Sequence, residues 1–353
     1  MKKENDKSAK LHDYEQQILD GTRKAGKDYH FDNDHDPIQP AEYWFENSRE
    51  GLTLFVVFYT QACRWSRCVG CSLPSKMSLK HIDFKQLMGQ VDTLFNTSEI
   101  KRRYPEIRKV IISNNGSVLD EVTFSSTALI YLFAKLNMHL THLSVVALES
   151  RPEFVDLEEL AFLQRTLKEG ESQSTIELCV GFEAFNDRIR NEVFDKGLTL
   201  ETFEAFVQKV ARYGFRIKCY FMQKPVPGMS DESAVNDIKG AIDYLSEIAG
   251  RYRIDINIHL NPTFVAKGTA LEGAFKQGSY VPPRLIDIAK SAYHARNKGL
   301  SLFIGLSDED LAVEGGSFLR PGDEKLKTVL DDFNRNNDYT LLEPLFKKID
   351  ATP

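Results

Sequence analysis

The sequence has no apolar run near the roughly 18 residues that a membrane-crossing helix needs, and its mean hydropathy is −0.34. Its first residues, Met-Lys-Lys-Glu-Asn-Asp-Lys, lead into polar sequence without an apolar signal core. The expectation is a cytoplasmic protein with reduced thiols and no membrane contact. No Walker loop, GxSxG elbow or HExxH motif is present, so the chemistries those motifs carry have no anchor here. Solenoid repeats and low-complexity tracts are also lacking. Cysteine is scarce, five in 353 residues, too few and too odd in number for a disulfide framework. Excess positive charge is missing too: the net charge is −6 and the pI about 5.8. That argues against a strong nucleic-acid binder acting alone, although a local basic patch or a basic partner remains compatible.

What is present is concentrated. Three of the five cysteines, Cys63, Cys68 and Cys71, fall within nine residues. Before them runs Leu52-Thr-Leu-Phe-Val-Val-Phe-Tyr59, a stretch that reads as a buried strand of a parallel sheet. Three thiols on a loop at the carboxyl end of such a strand occupy the rim where barrel and open α/β enzymes place their chemistry. Thiolates so spaced can chelate one metal centre. Two readings stand side by side on spacing alone. One is a structural zinc with His81 as fourth ligand. The other is an iron–sulfur cluster, for which three protein thiolates leave one iron open. Arg64 and Arg67 lie among the cysteines, where positive charge favours thiolate over thiol.

From Leu52 onward, short apolar strands alternate with amphipathic helices. Strands are expected at 52–59, 109–113, 142–148, 175–180, 216–222 and 254–260, with helices at 84–95, 127–136, 157–167, 200–213 and 233–248 between them. Thr199 is placed to cap the fourth helix and Gly214 to end it. Such alternation means right-handed βαβ units and a parallel sheet. The fold class is therefore α/β, a partial or full (β/α) barrel. A polar N-terminal arm (1–50) precedes the core (51–265), and an α/β extension (266–353) follows it. The arm is expected to hold at most a short helix, 11–19, with Tyr43-Trp-Phe45 packing it onto the core and with His12, His30 and His35 solvated. The extension is expected to carry a helix at 283–297, a strand at 300–304, and helices at 324–333 and 341–348. Cys179 and Cys219 fall inside strands and read as small core residues.

Polar residues follow each expected strand. After the second comes Asn114-Asn-Gly-Ser117, where Gly116 permits close approach to a ligand and Ser117 offers a hydroxyl; a plain βα turn explains the same residues. After the third comes Glu149-Ser-Arg151, suited to an amine or ribose and to a carboxylate, or to a mutual ion pair. The fourth ends in Gly181-Phe-Glu183, the fifth in Gln223-Lys-Pro225 and the sixth in Asn261-Pro262. Such motifs on the rim that carries the cysteines point to a ligand site. The run 268–284 reads as an ordered loop placed to cover it.

These residues resemble the radical S-adenosylmethionine (SAM) superfamily. The pattern is three cysteines after strand one, a Gly-containing turn after strand two and a charged residue after strand three. Gly116-Ser-Val-Leu-Asp120, Glu149-Ser-Arg-Pro-Glu153, Gly181-Phe-Glu183, Lys196-Gly-Leu-Thr199, Lys224-Pro225 and Gly278-Ser-Tyr-Val-Pro-Pro283 narrow the resemblance. They are similar to the branch that holds the archaeosine-forming enzyme and, more distantly, the Elongator catalytic subunit. The cysteine spacing here is C-x4-C-x2-C rather than the commoner C-x3-C-x2-C, and Gly70 stands where an aromatic residue is usual. The resemblance implies that Cys63, Cys68 and Cys71 hold a [4Fe–4S] cluster. It gives Gly116, Ser117, Glu149, Arg151 and Glu183 to SAM binding. It implies an enzyme acting by radical chemistry, with a modified nucleoside in tRNA, a free small molecule or a peptide as substrate. A low-potential electron donor of flavodoxin or ferredoxin type is implied as a partner, and a tRNA-modifying protein as another. The non-catalytic alternative is a zinc-stapled interaction module.

Overall fold

The computed structural model describes residues 2–170 and 172–347. Eight strands are formed: β1 (Glu42–Ser48), β2 (Gly51–Val57), β3 (Ile107–Ser113), β4 (Val145–Glu149), β5 (Thr175–Glu183), β6 (Arg216–Gln223), β7 (Ile256–Pro262) and β8 (Ser301–Ile304). In the sheet they follow one another in chain order, β1 to β8. An order without a reversal point is that of a singly wound (β/α) barrel sheet, not of a doubly wound one. The pairs β2–β3, β3–β4, β6–β7 and β7–β8 are parallel, and helices fill the connections from β2 onward. The expected α/β class with a parallel sheet is what the chain adopts.

Some local expectations hold and others need correction. The N-terminal arm forms a long helix, Lys2–Lys24, not a short one. Tyr43-Trp-Phe45 lies inside β1, joined to β2 by only two residues, a connection that an antiparallel pair permits and a parallel pair does not. Trp44 stacks on Phe55 with ring centroids 4.1 Å apart. The run 268–284 contains a helix, Ala270–Lys276. The expected strand at 300–304 is β8, paired with β7. Of the last expected helix, Glu343–Lys347 is formed and Lys348 lies outside the described residues. His30 is exposed and His35 is half-buried against the Tyr59 ring at 4.6 Å; the side chain of His12 is outside the described residues.

Two compact units divide the chain: Met1–Glu46 with Gly51–Leu178, and Asn47–Glu50 with Cys179–Pro353. In the first, Asp83 and Gln86 form a capping box that starts the helix Phe84–Asn96. That helix buries Leu87, Val91 and Leu94 completely or nearly so. The register pairs Thr53 with Lys109 and Lys109 with Val145. Lys109 is buried and meets the Glu177 carboxylate of β5 at 2.5 Å. This ion pair reaches across β4 on the sheet face that Thr53 shares. A one-residue slip of β3 would turn Lys109 onto the opposite face and strand the carboxylate.

In the second unit, Phe182 of β5 meets Phe203 of the helix Leu200–Arg212 and Phe221 of β6, both at 4.9 Å. This is the helix-covered face, and Cys219 belongs to it, fully buried as expected. Thr199 caps the helix Leu200–Arg212 through Thr202 N, as its position suggests.

Candidate functional site

The loop after β2 is positioned from below by Gln90. Its amide, fully buried on the helix Phe84–Asn96, accepts from Tyr59 N at 2.9 Å and donates to Tyr59 O at 2.7 Å. It stands in for a neighbouring strand where the ladder ends, and so fixes where the chain turns into Cys63. Ala62 N then donates to Ser78 O at 2.7 Å, closing the base of the loop. Cys63, Cys68 and Cys71 are all half-buried, and none is in a disulfide.

Three turns of the first unit are tied together around that loop. Arg64 donates to both carboxylate oxygens of Asp120, at 2.6 and 2.7 Å. Gly116 lies so close that a Cβ there would sit 3.2 Å from Cys63 Cβ; its value is the missing side chain. Ser117 Oγ accepts from Arg151 N at 3.2 Å, and Val118 N donates to Glu149 O at 2.8 Å. Five of the residues singled out in the sequence, Cys63, Gly116, Ser117, Glu149 and Arg151, thus belong to one connected set of turns. Arg151 Nε donates to Glu153 at 2.5 Å. The Arg151 guanidinium also lies 4.0 Å from the centroid of the Trp65 ring, whose other cationic neighbour is Arg67 at 4.4 Å.

The N-terminal segment joins the site, which the sequence did not suggest. Tyr14 lies under the Arg64 guanidinium at 4.8 Å. A Cβ on Gly21 would come within 2.7 Å of Trp65 O. Lys27 Nζ donates to Ser66 O at 2.9 Å. Asp32 N donates to Ser75 O at 3.0 Å, and Leu79 N to Asn33 Oδ1 at 2.9 Å. Burial pushes the Tyr29 phenol well above its usual range, and the charges of Cys71, Cys63 and Cys68 push it the same way. One ring is thus within electrostatic reach of all three thiols. As placed, no three His, Cys, Asp or Glu side chains among the described residues converge tightly enough to hold a single metal ion.

Glu183 lies in the second unit, at the end of β5, with φ +71°. Its carboxylate takes a hydrogen bond from Lys196 Nζ at 2.8 Å. Gly181 leaves the room for that pair: a Cβ would lie 2.4 Å from both charged groups. The turn that presents them is held by Arg190, fully buried, which donates to the carbonyls of Leu198, Ala184 and Phe185 and to Asp187. Asp237 accepts from Phe185 N and Asn186 N at 2.8 and 2.7 Å. Lys224 ends β6 with φ +65° and pairs with Asp231 at 2.6 Å. Asn115, Glu183 and Lys224, at the ends of β3, β5 and β6, are all left-handed residues without the excuse of glycine. Strained backbone of this kind concentrates where geometry serves binding.

Sequence reading missed a row of residues on β6, β7 and β8. The register places Tyr220 beside His259 and His259 beside Phe303, with ring centroids 4.9 Å apart in both cases. One rung further on, Met222 stands beside Asn261. These residues share the face opposite Phe221, and Tyr220, Met222, Asn261 and Phe303 are only half-buried. A face that helices do not cover, bearing aromatic and amide groups, suits a ligand. The alternation was visible in Lys218-Cys-Tyr-Phe-Met, but only the strand ends were weighed. Two glycine substitutions test whether this face is open. A Cβ on Gly305 would lie 2.2 Å from Asn261 Oδ1, whereas one on Gly316 would lie 2.7 and 2.8 Å from the packed side chains of Val313 and Val265. Gly305→Ala is expected to cost under about 1 kcal/mol, because the Asn261 amide swings away into open space. Gly316→Ala should cost about 1–3 kcal/mol through overpacking. Equal losses in urea denaturation would mean that the row is filled, not open.

Comparison with known proteins gives two relatives in sequence. The chain is 28% identical over 265 residues to archaeosine synthase subunit beta of Methanosarcina acetivorans, spanning 73% of this chain and 72% of that one. It is 27% identical over 278 residues to an uncharacterized protein of Methanocaldococcus jannaschii, spanning 75% of this chain and 72% of that one. The branch resemblance read from the motifs is thus matched along most of the chain, and the named relative is a subunit of an enzyme. No family model matches. Among solved structures, Methanocaldococcus infernus Elp3 with its N-terminus deleted is similar with a TM-score of 0.47 at 15% identity, over 76% of this chain and 58% of that one.

Proposed function

We propose that this protein is a radical SAM enzyme. The observation that carries the reading is the knot of turns in the first unit, where the cysteine loop is locked to the turns after β3 and β4. The Arg64–Asp120 pair, Gly116 against Cys63, and the Ser117–Arg151 bond set three thiols beside a hydroxyl, a carboxylate and a guanidinium. The donor chemistry fits a [4Fe–4S] cluster: three half-buried thiols on one loop, with a glycine where a side chain would crowd Cys63.

On this reading Cys63, Cys68 and Cys71 hold the cluster, and Gly116, Ser117, Glu149 and Arg151 bind SAM. The resemblance adds Glu183, whose carboxylate accepts from Lys196 Nζ. When bound, the cluster and SAM would supply hydrogen-atom abstraction from the substrate. The chain's own share is to bind, orient and exclude water. Arg151, stacked on Trp65 and bonded to Glu153, presents its guanidinium in a fixed plane to a carboxylate. The electron donor is a low-potential flavodoxin or ferredoxin, and the compartment is the reducing cytoplasm; no helix among the described residues is long and apolar enough to cross a membrane.

The substrate reading is a modified nucleoside in tRNA, with a second protein as partner, as the word subunit in the relative's name suggests. The row of Tyr220, His259, Phe303 and Asn261, with Lys218 on the same face 6.0 Å from the Phe303 ring, suits a planar, hydrogen-bonding ring. The net charge of −6 leaves most of the tRNA backbone to the partner.

The test is 5′-deoxyadenosine formation by anaerobically reconstituted protein with SAM and dithionite. The expected result is turnover in the wild type and none in the Cys63/Cys68/Cys71→Ala variant. No product from protein with a full iron and sulfide complement, even with tRNA and partner added, would sink the reading.

A further inference from the structure

The residue that the mechanism above leaves unused is Lys27. The helix Lys2–Lys24 ends at Gly26, whose φ of +64° makes the left-handed turn that a helix C-terminus favours. Gly26 N donates to Arg23 O and Lys27 N to Thr22 O. That reversal aims the Lys27 side chain back at the cysteine loop. There it is 8% exposed. Nζ donates to the carbonyl of Ser66, between Cys63 and Cys68, and lies 5.8 Å from the Tyr29 ring centroid.

Three other cations lie at the loop, Arg64, Arg67 and Arg151, and Arg67 lies over the Trp65 ring. Arg64 is matched by Asp120 and Arg151 by Glu153. Lys27 has a carbonyl and a ring for partners, and among the described residues no carboxylate pairs with it. A buried cation left with a neutral partner is costly unless something anionic stands near. The loop whose carbonyl Lys27 holds carries the three thiols, with Cys63 three residues before Ser66 and Cys68 two after it. Tyr29, over which Lys27 lies, is within electrostatic reach of Cys63, Cys68 and Cys71 alike. The backbone that Lys27 holds is itself strained, Ser66 having φ +41°, so the bond also fixes a conformation the loop does not adopt cheaply.

We propose that Lys27 is a positioning residue of the cluster site: it holds the loop in its ligating conformation and sets the potential of the cluster by its buried positive charge. The inference rests on the radical SAM reading. A cluster gains a negative charge on reduction, and a fixed cation in a water-poor site stabilises the reduced form. Removing the cation therefore makes the cluster harder to reduce. Because the segment that bears Lys27 precedes the sheet altogether, the N-terminal arm becomes part of the redox site and not a leader to it.

The experiment uses full-length protein reconstituted anaerobically, with iron content, the electron paramagnetic resonance spectrum and a redox titration as readouts. Lys27→Met is expected to bind wild-type iron and to shift to more negative potential. The ratio of reduced to oxidised cluster at fixed potential should fall about tenfold, or about 59 mV for one electron. Lys27→Arg, which keeps the charge, should stay near wild type. Iron uptake lost in Lys27→Met but restored in Lys27→Arg also supports the assignment, through the loop-holding half. An unshifted potential in iron-replete Lys27→Met overturns it, as does equal loss of iron in both variants. A wild-type chain that takes up no cluster at all is a different failure: it removes the functional reading, and this inference with it.

Discussion

Replacing Lys109 by methionine is expected to lower the stability of the first unit by about 3–5 kcal/mol, the usual cost of leaving one member of a buried ion pair behind. Lys109 and Glu177 have side chains 2% and 0% exposed, so water cannot take over the role of the missing partner. A domain of ordinary stability has roughly 5–15 kcal/mol in hand, and the single variant sits near the edge of folding. The double variant Lys109→Met/Glu177→Leu should recover most of the loss, because two packed apolar side chains have no charge to desolvate. Both tryptophans, Trp44 and Trp65, belong to the first unit, so fluorescence-detected urea denaturation reads this effect directly. If the single variant unfolded at the wild-type urea midpoint, the pair would have to be hydrated and the account of β3 register would fall.

The second large effect lies in the second unit. Arg190→Met is expected to cost about 3–5 kcal/mol locally, because the Ala184 and Phe185 carbonyls lose the guanidinium and Leu198 O and Asp187 are left with Asn191 Nδ2 alone. Hydrogen exchange should show it as a loss of protection between Ala184 and Leu198, where Lys196 N is bonded to Arg190 O. Arg190→Lys should fail to rescue it. One ammonium cannot reach donors' positions that a planar guanidinium fills at once. Activity should fall with it, since this turn presents the Glu183–Lys196 pair. Protection of that segment unchanged in Arg190→Met would show that Asp237 and Asn191 hold the turn without it.

How much of this was legible depends on whether a residue's partner is near in sequence. The strands β2, β3 and β5 to β7 are apolar runs that declare themselves, and the cysteine loop is compact enough to read as one object. β1 did not declare itself: Glu42-Tyr-Trp-Phe-Glu-Asn-Ser has charged and polar ends, and it is a strand because Trp44 finds Phe55 to stack on. The N-terminal helix is polar on most of its surface, and its packing surface is the cysteine loop, which no periodicity in the helix can reveal. Lys109, Glu177 and Arg190 read as ordinary surface charges in a linear text. Only the fold shows that each is buried with a chosen partner. The turn residues Gly116, Ser117, Glu149 and Arg151 were legible as a set because a parallel sheet delivers every strand end to one rim. Their mutual bonds were not.

The bonds that tie the cysteine loop to its surroundings also have a kinetic side. Lys27 to Ser66 spans 39 residues, Tyr59 to Gln90 spans 31, Arg64 to Asp120 spans 56 and Ser117 to Arg151 spans 34. Every one of them closes within the first 151 residues. Loop closure over 31–56 residues costs only slightly more entropy at the upper end than at the lower, since the cost grows with the logarithm of length. At about 5–20 residues per second of synthesis, the loop and its ties are available to one another seconds before Glu183 and the strands after it are made. The residues of the thiol loop and of its ties are thus made before Glu183 and the later strands, and the order of the strands in the sheet is also an order of synthesis.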